Sequence, residues 1–217
     1  MGRLDDRRDP RAPTGTISRL TMTIQQLLRH HGFNCARRVL PSGRLTFDVP
    51  TASGSPLGLA VTTHTFHGGS ESIDDVEKAP WWLAPNALER DRAAMAEYFP
   101  TFSEVARDAD RPPAWFGSID TKFGGFNVGI VHRFDHGLPA VIPINPEARG
   151  RRRGRQYIRA PHTYTNGNLC IAATDDWEPA RDTVATVVAW TAHWHAFYVE
   201  WLFTGKWPAE MYVAEVG

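Results

Sequence analysis

The amino-acid sequence predicts an α+β fold in which an antiparallel meander sheet is packed by helices. Short segments with alternating apolar residues, separated by residues that favour turns, fill the middle of the chain, and a long aromatic helical segment follows them. Strands that follow one another in this way usually pair as antiparallel neighbours. With 217 residues and 42% hydrophobic content, the chain can bury a full core.

The predicted strands cover five segments. Residues 44–49 and 57–66 flank a turn-rich stretch with two prolines, and we expect them to form the first hairpin of the sheet. Residues 115–119 and 125–134 supply further strands, and residues 138–144 end the sheet.

Three helical segments are predicted from the spacing of apolar residues. Residues 23–31 form a short amphipathic helix, and residues 72–110 are mostly helical, most clearly over residues 86–98. The third helix covers residues 180–204 and ends at Gly205, because glycine favours the left-handed conformation that closes a helix.

One face of this C-terminal helix is aromatic. Its rings, spaced four, four and three residues apart, belong to Trp190, Trp194, Tyr198 and Trp201. Arg181, Asp182 and Glu200 lie in the same segment and are incompatible with a membrane-spanning helix. The helix is therefore predicted to face the core.

Overall charge excludes a general attraction to nucleic acid or anionic lipid. Twenty-four acidic residues balance twenty-four basic residues. The chain has only two cysteines and no apolar segment near Met1, so neither a disulfide scaffold nor secretion is expected. We expect a cytoplasmic protein.

Five arginines are concentrated in residues 149–155. Such a run is either a solvated, mobile loop or a docking patch for an acidic partner. Nucleic acid is not expected as that partner, because the run lacks interleaved aromatic residues and the chain has no basic excess.

No metal site and no cofactor are predicted. His193 and His195 are two residues apart on a helix and point about 200° from each other around its axis. His64 and His67 lie in a strand and face opposite sides, and no third ligand has a suitable spacing.

A cysteine beside a tight turn is the strongest candidate for covalent chemistry. Cys170 follows the turn-forming pair Asn166-Gly167, and a Trp-Glu-Pro segment begins seven residues after it, at residues 177–179. A thiol is a useful nucleophile because it is partly ionised near neutral pH. The alternative for Cys170 is a small buried hydrophobic residue, which is our interpretation of Cys35.

The stretch 161–171 and the Trp-Glu-Pro segment resemble the active-site region of ubiquitin-conjugating enzymes. There a His-Pro-Asn motif precedes an Asn-Gly turn, the catalytic cysteine and a Trp-Ser-Pro. The chain is more similar still to the prokaryotic branch, in which a His-x-Tyr motif, here His162 and Tyr164, precedes the cysteine. In that branch a Trp-rich helix leads to Trp-Leu-x-x-Thr-Gly-x-Trp, and residues 201–207 are one residue shorter, Trp-Leu-Phe-Thr-Gly-Lys-Trp.

This resemblance implies a fold and a reaction. The fold would be UBC-like, with an N-terminal extension and a helical insertion, and Cys170 would carry the C-terminal glycine of a protein as a thioester before passing it to an amine. Members occur in bacterial antiphage operons, including type II CBASS, and in ubiquitin-like operons. The implied partner is a ubiquitin-like protein or a CD-NTase-type nucleotidyltransferase, with or without a separate activating enzyme.

The resemblance also implies roles for individual residues. Aligned on the cysteine, His162 occupies the place of the family's asparagine, either as a donor to the oxyanion or as a base for the amine. Asn166 and Asn168 are implied to contact the thioester. Asp176, with Asp175, either orients or deprotonates the incoming lysine or is a loop residue before the helix. Tyr164 and Trp177 are expected to pack around the cysteine loop.

The predicted domain organisation follows from the extent of the resemblance. Residues 1–21 form a disordered arm, and residues 22–217 form a single UBC-like domain. Residues 114–210 match the sheet, active-site flap and helix of such an enzyme, whereas residues 67–113 are an insertion or accessory segment.

Two other functions remain open. One is a UBC-like binding module without activity, and the other is a hydrolase that uses Cys170 and His162. Hydrolases usually place the nucleophile at a helix start and bring the base from a distant segment. Here the two residues are eight apart with a turn between them.

Overall fold

A computed structural model describes residues 37–47, 58–62, 64–66, 69–71, 80–105, 108–121, 123–144 and 150–208. These residues form an α+β fold with three antiparallel sheets and two α-helices, which agrees with the predicted α+β class. The strands are β1 (Arg37–Val39), β2 (Leu45–Phe47), β3 (Leu59–Ala60), β4 (Ser103–Val105), β5 (Ala114–Thr121), β6 (Gly124–Val131), β7 (Ala140–Pro143), β8 (Gly150–Arg153) and β9 (Gln156–Arg159). The helices are α1 (Glu89–Tyr98) and α2 (Val184–Thr204).

The first sheet has the order β2-β1-β3, so the predicted hairpin of the second and third strands is wrong. A tight turn joins β1 to β2, with the N–H of Gly43 donating to the carbonyl of Leu40 at 2.8 Å. Gly43 has a φ of 81°, and a Cβ there would lie 2.8 Å from the Cα of Ile119 in β5. The short connection therefore decides the pairing, while the longer turn-rich connection leads to the other edge of β1.

The second sheet is a meander with the order β4-β5-β6-β7, as predicted for its last three strands. The apolar side chains on one face of β5 and β6 enter the core, in agreement with the alternation of a half-buried strand. They are Trp115, Ile119, Phe126, Val128 and Ile130. The strand β4 lies in a segment that was predicted to be helical, and this part of the prediction is wrong.

The segment 80–105 contributes to the same core as the sheet. The helix α1 lies within the predicted residues 86–98 and packs against α2. Five apolar side chains of this segment are buried in the main hydrophobic cluster: Trp82, Leu88, Met95, Phe99 and Phe102.

The long helix α2 begins four residues later than predicted and ends as predicted, at Gly205 with a φ of 76°. It contacts strands of both the three-stranded and the four-stranded sheet. All four rings of the predicted aromatic face are buried, as are most of the other side chains of this helix. Among the helices described, none combines the length and the apolar character needed to cross a membrane.

The arginine-rich run is a β-hairpin, so the prediction of a loop is wrong. The strands β8 and β9 pair from Gly150↔Arg159 to Arg153↔Gln156 around a two-residue turn at Gly154, which has a φ of 62°. Arg151 packs inward, while Arg152, Arg153 and Arg155 are exposed.

Several predictions concern parts of the chain outside the described residues. They include the arm at residues 1–21 and the helix at residues 23–31. Cys35, His67 and Arg149 also lie there.

Candidate active site

The loop before Cys170 is a closed turn, as the sequence predicted. The N–H of Tyr164 donates to the carbonyl of Asn168 at 2.8 Å, and the N–H of Gly167 donates to the carbonyl of Tyr164 at 2.9 Å. Gly167 has a φ of 98°, a left-handed conformation that favours glycine. The side-chain oxygen of Asn166 accepts from the N–H of Asn168 at 3.0 Å and fixes the tip of the turn.

The candidate nucleophile, Cys170, has no exposed surface. Its N–H donates to the carbonyl of His162 at 3.0 Å, and its neighbour Leu169 bridges to Val141 of β7. The turn is thus attached to the edge of the four-stranded sheet, with the thiol buried beneath it.

The Cys170 thiol donates to the carbonyl of Ala172, with 4.0 Å between sulfur and oxygen. The Tyr164 phenol is a second hydrogen-bonding neighbour of this sulfur. Burial, and then this hydrogen bond, raise the pKa of Tyr164 well above its ordinary value of 10. The phenol therefore stays protonated and remains a donor to the sulfur at neutral pH. This polar contact corrects the expectation that Tyr164 serves only in packing.

A small cavity lies beside this pair. Its volume is about 20 Å³, enough for one water molecule, and its walls include Glu71, Arg133, Tyr164 and Thr174. Arg133 is held by two hydrogen bonds to Asp135, at 3.0 and 2.5 Å. A polar pocket large enough for one water thus adjoins the tyrosine that contacts the thiol.

His162 is held by both its backbone and its ring. Its φ is 51°, and its carbonyl accepts from the N–H of Cys170 and from Nε1 of Trp194, the latter at 2.9 Å. Its ring centroid lies 5.1 Å from that of Trp207 and 5.6 Å from that of Phe66. The imidazole is therefore part of an aromatic cluster, and its predicted role as donor or base remains a prediction.

Asn166 and Asn168 both contact a residue that the sequence had not indicated. Their side-chain amides donate to the same carboxylate oxygen, Oε2 of Glu71, at 2.6 and 2.8 Å. The carbonyl of Gly69 also accepts from the backbone N–H of Thr165 at 3.1 Å. A segment about 95 residues away in sequence thus lies along the cysteine turn.

Asp176 lies in a one-turn 3-10 helix after the cysteine. Its Oδ2 accepts from the N–H of Ala173 at 3.0 Å and from the N–H of Thr65 at 2.7 Å. The carboxylate thereby ties the segment after Cys170 to residues 64–66. The neighbouring Asp175 is exposed.

Two further side chains fix the loop from outside. Arg159 of β9 donates to the carbonyls of Tyr164 and Thr165. The indole of Trp177 is buried and donates to the carbonyl of His136 at 3.3 Å, in keeping with the predicted packing role.

The histidines that were considered as metal ligands have other neighbours. His193 is hydrogen-bonded to His64 at 3.0 Å, and His195 packs 4.6 Å from the ring of Phe126. Within the described part of the chain, no three side chains of His, Cys, Asp or Glu are grouped to hold a metal ion.

Comparison with known proteins matches the region built around this site. A family model described as "Type II CBASS E2 protein" matches residues 91–213. This range contains α1 except for its first two residues, the four-stranded sheet, the cysteine turn and α2. Searches of curated proteins and of solved structures found no match. Because the match covers more than half of the chain, the protein belongs to the type II CBASS E2 family, the E2-like proteins of CBASS antiphage systems.

Proposed function

We propose that this protein is a conjugating enzyme with a UBC-like fold, which carries the C-terminal glycine of a partner protein as a thioester on Cys170. The observation that carries the proposal is the cysteine turn, in which Cys170 meets a protonated phenol, Tyr164, inside the region matched by the E2 family. A hydrogen-bond donor to sulfur favours the thiolate, and the thiolate is the reactive form.

In the first step, the Cys170 thiolate attacks the activated carbonyl of the partner's terminal glycine. A sulfur–carbon bond forms, the carbonyl oxygen becomes an oxyanion, and the activating group leaves with the electron pair of its bond to carbon. In the second step, a primary amine attacks the thioester and loses a proton. An amide forms, and the Cys170 thiolate is the leaving group.

His162 and Asp176 remain the candidates for acid-base roles in the second step. The side chain of Asp176 uses Oδ2 for two backbone hydrogen bonds, and its Oδ1 has no hydrogen-bond partner among the described residues. We propose that Oδ1 orients the incoming ammonium group. His162 would assist as oxyanion donor or as base.

The partner is proposed from the family. CBASS E2 proteins work within CBASS systems, and this favours a CD-NTase-type nucleotidyltransferase with a C-terminal glycine over a ubiquitin-like protein. An activating enzyme would supply the energy-rich carbonyl. The reaction is expected in the cytoplasm, where the amine acceptor would be a lysine.

A binding module without catalytic activity is a second candidate function. The observation that favours it is the complete burial of Cys170, because a thiol without exposed surface cannot reach a carbonyl of another protein. Conjugation therefore requires that the cysteine turn opens when the partner binds. A hydrolase is disfavoured, because Cys170 follows a turn and does not begin a helix, and the candidate base, His162, precedes it by eight residues within the same loop.

The test is isolation of the tagged protein from its native host, followed by a non-reducing gel and intact-mass analysis. The unaltered protein is expected to carry a protein-sized adduct that dithiothreitol removes. Cys170→Ser should retain the adduct as a more stable ester, and Cys170→Ala should lack it. Cys35→Ser is the matched control and should behave like the unaltered protein. Absence of any adduct, even with neighbouring gene products co-expressed, would instead support the binding module.

A further inference from the structure

Two side-chain amides beside Cys170 converge on a single oxygen atom. Nδ2 of Asn166 and Nδ2 of Asn168 lie 2.6 and 2.8 Å from Oε2 of Glu71. We call these two amide groups the amide pair. Two N–H donors at such distances from one oxygen form a site suited to a carbonyl oxygen that gains negative charge during a reaction.

The turn itself orients the amide pair. Oδ1 of Asn166 accepts from the N–H of Asn168 at 3.0 Å, so the amide nitrogen of Asn166 points away from that bond and toward Glu71. This arrangement depends on the left-handed conformation of Gly167. Removal of the Glu71 carboxylate would therefore leave the internal hydrogen bonds of the turn and its two donors intact, while it weakens the attachment of the turn to residues 69–71.

The amide pair and Cys170 belong to the same turn. Leu169 forms antiparallel bridges with Val141 and Thr163, so the chain between Asn168 and Cys170 is extended. Glu71 and Tyr164 also line one cavity, and the Tyr164 phenol binds the thiol.

We propose that the amide pair binds the carbonyl oxygen of the acyl group carried by Cys170, and that Glu71 occupies this site as an internal competitor in the free protein. The inference rests on the proposed function. When the Cys170 sulfur bonds to the carbonyl carbon, the oxygen becomes an anion, and the amide pair donates to it as it donates to the carboxylate. Departure of the leaving group restores the carbonyl, so the amide pair itself gains and loses no proton.

The Glu71 carboxylate oxygen and the acyl carbonyl oxygen compete for the amide pair, and their charges decide which one binds. A carboxylate accepts stronger hydrogen bonds than a neutral carbonyl, so Glu71 holds the site until a bound partner supplies further contacts. The segment of Glu71 also binds the turn through the carbonyl of Gly69, which accepts from both the N–H and the hydroxyl of Thr165. The free protein is thereby kept with Cys170 buried.

The test measures how fast N-ethylmaleimide modifies Cys170 in the full chain carrying Cys35→Ser. Glu71→Ala is expected to raise the rate about tenfold or more, because charged hydrogen bonds that hold the closed form are lost. Glu71→Gln, a weaker competitor of the same shape, should give a smaller increase. Ser70→Ala is the matched control, because this exposed neighbour should leave the rate unchanged. Thermal unfolding checks that each variant is folded.

A second variant separates this role from a structural one. In Asn168→Asp the donor becomes a carboxylate, which repels Glu71 and cannot bind an oxyanion. Maleimide modification should become faster while the acyl adduct is lost. If maleimide modification and formation of the acyl adduct both become slower, the amide pair has only a structural role and the proposal is overturned.

The two measurements, maleimide modification and formation of the acyl adduct, distinguish failure of the Glu71 proposal from failure of the proposed function. Unchanged modification in folded Glu71→Ala and Glu71→Gln, with a normal adduct on Cys170, would overturn the competitor role alone. Faster modification without an adduct in any variant would refute the proposed function, and the assignment of the amide pair to an acyl oxygen with it.

Discussion

The carboxylate of Asp91, on α1, accepts a hydrogen bond of 2.8 Å from the backbone N–H of Val184, the first residue of α2. Its second oxygen binds Nε2 of the buried His132 at 3.0 Å. The first N–H groups of a helix have no partner within the helix, so one side chain here satisfies the start of α2 and the sheet residue beside it. The position of the long helix is therefore tied to α1 and to the end of β6.

Replacement of Asp91 should destabilise the whole fold. In Asp91→Ala the helix start loses its acceptor and His132 is left buried without it, so we expect a loss of about 2 to 4 kcal/mol in the free energy of unfolding. Urea unfolding followed by tryptophan fluorescence measures this change. Glu89→Ala, at an exposed position in the same helical turn, is the control and should change the stability by less than about 0.5 kcal/mol. Equal effects of the two substitutions would contradict this role of Asp91.

The phenol of Tyr164 should make Cys170 a better nucleophile. In Tyr164→Phe the donor to the sulfur is lost. With Cys35→Ser present in both proteins, alkylation of Cys170 at neutral pH should therefore be several-fold slower in Tyr164→Phe than in the protein that retains Tyr164. Formation of the acyl adduct should slow as well. An unchanged alkylation rate, with thermal stability maintained, would show that the hydrogen bond has no effect on the thiol.

The raised pKa of Tyr164 allows an independent check of the same contact. Because burial and the hydrogen bond to Cys170 keep the phenol protonated, Tyr164 should ionise above the ordinary pKa of 10. Absorbance titration of phenolate should show a late phase to which Tyr98, whose pKa is also raised by its hydrogen bond with Glu97, contributes as well. The amplitude of this phase should fall by one tyrosine in Tyr164→Phe, and an unchanged amplitude would contradict the late ionisation of Tyr164.

The fold was predictable where side-chain alternation is long. The strands β5 and β6 each contain eight residues, with apolar side chains at alternate positions, and both were predicted. The strands β1 and β4 contain three residues each, Arg-Arg-Val and Ser-Glu-Val, and neither was predicted. Such short polar strands exist because a neighbouring strand completes their hydrogen bonds, and this information is not local in sequence.

The candidate site also has a part that was predictable from the sequence and a part that was not. The Asn166-Gly167 turn and the cysteine after it are encoded locally, because only certain residues adopt the conformation of that turn. Glu71 contacts both asparagines from about 95 residues away, and a single glutamate in an otherwise unremarkable segment gives no signal in the sequence. Asp176 was considered because it follows the cysteine by six residues, but its contacts with the backbone of Thr65 and Ala173 depend on tertiary structure.

The arginine-rich hairpin contains one structural arginine among exposed ones. Nη1 of Arg151 donates to the carbonyls of Trp201 and Leu202 near the end of α2, and its guanidinium lies 4.9 Å from the centre of the Trp201 ring. We expect Arg151→Ala to lower the free energy of unfolding by about 1 to 2 kcal/mol, because a charged group at the helix C-terminus and a cation–π contact are lost.

Arg152→Ala is the matched control, since this exposed residue lies next in the same strand. It should change stability by less than about 0.5 kcal/mol. Arg151→Lys should recover only part of the loss, because an ammonium group could still donate to the helix carbonyls but lacks the planar group that packs on the Trp201 indole. Equal stability of Arg151→Ala and Arg152→Ala would show that the whole hairpin is a solvated surface element.

Buried His195 should make the fold sensitive to acid. Burial lowers the pKa of His195 to about 4, while its Nδ1 is hydrogen-bonded to the carbonyl of Thr191 at 2.9 Å. Its Nε2 is buried without a hydrogen-bond partner in the described structure. The unfolded chain binds a proton at this residue below about pH 6.5, whereas the folded chain does so only near pH 4. Stability is therefore fully present above pH 6.5 and falls as the pH drops toward 4, by up to about 3 kcal/mol from this group.

Substitution of His195 should flatten this dependence. His195→Asn keeps a donor for the Thr191 carbonyl but has no titratable group, so its stability should vary less between pH 6.5 and pH 4 than that of the unaltered protein. Urea unfolding at a series of pH values measures the difference in slope. Phe203→Asn, at an exposed position on the same helix, should retain the original slope even if it changes the stability. Parallel pH profiles for the unaltered protein and His195→Asn would mean that other groups cause the acid sensitivity.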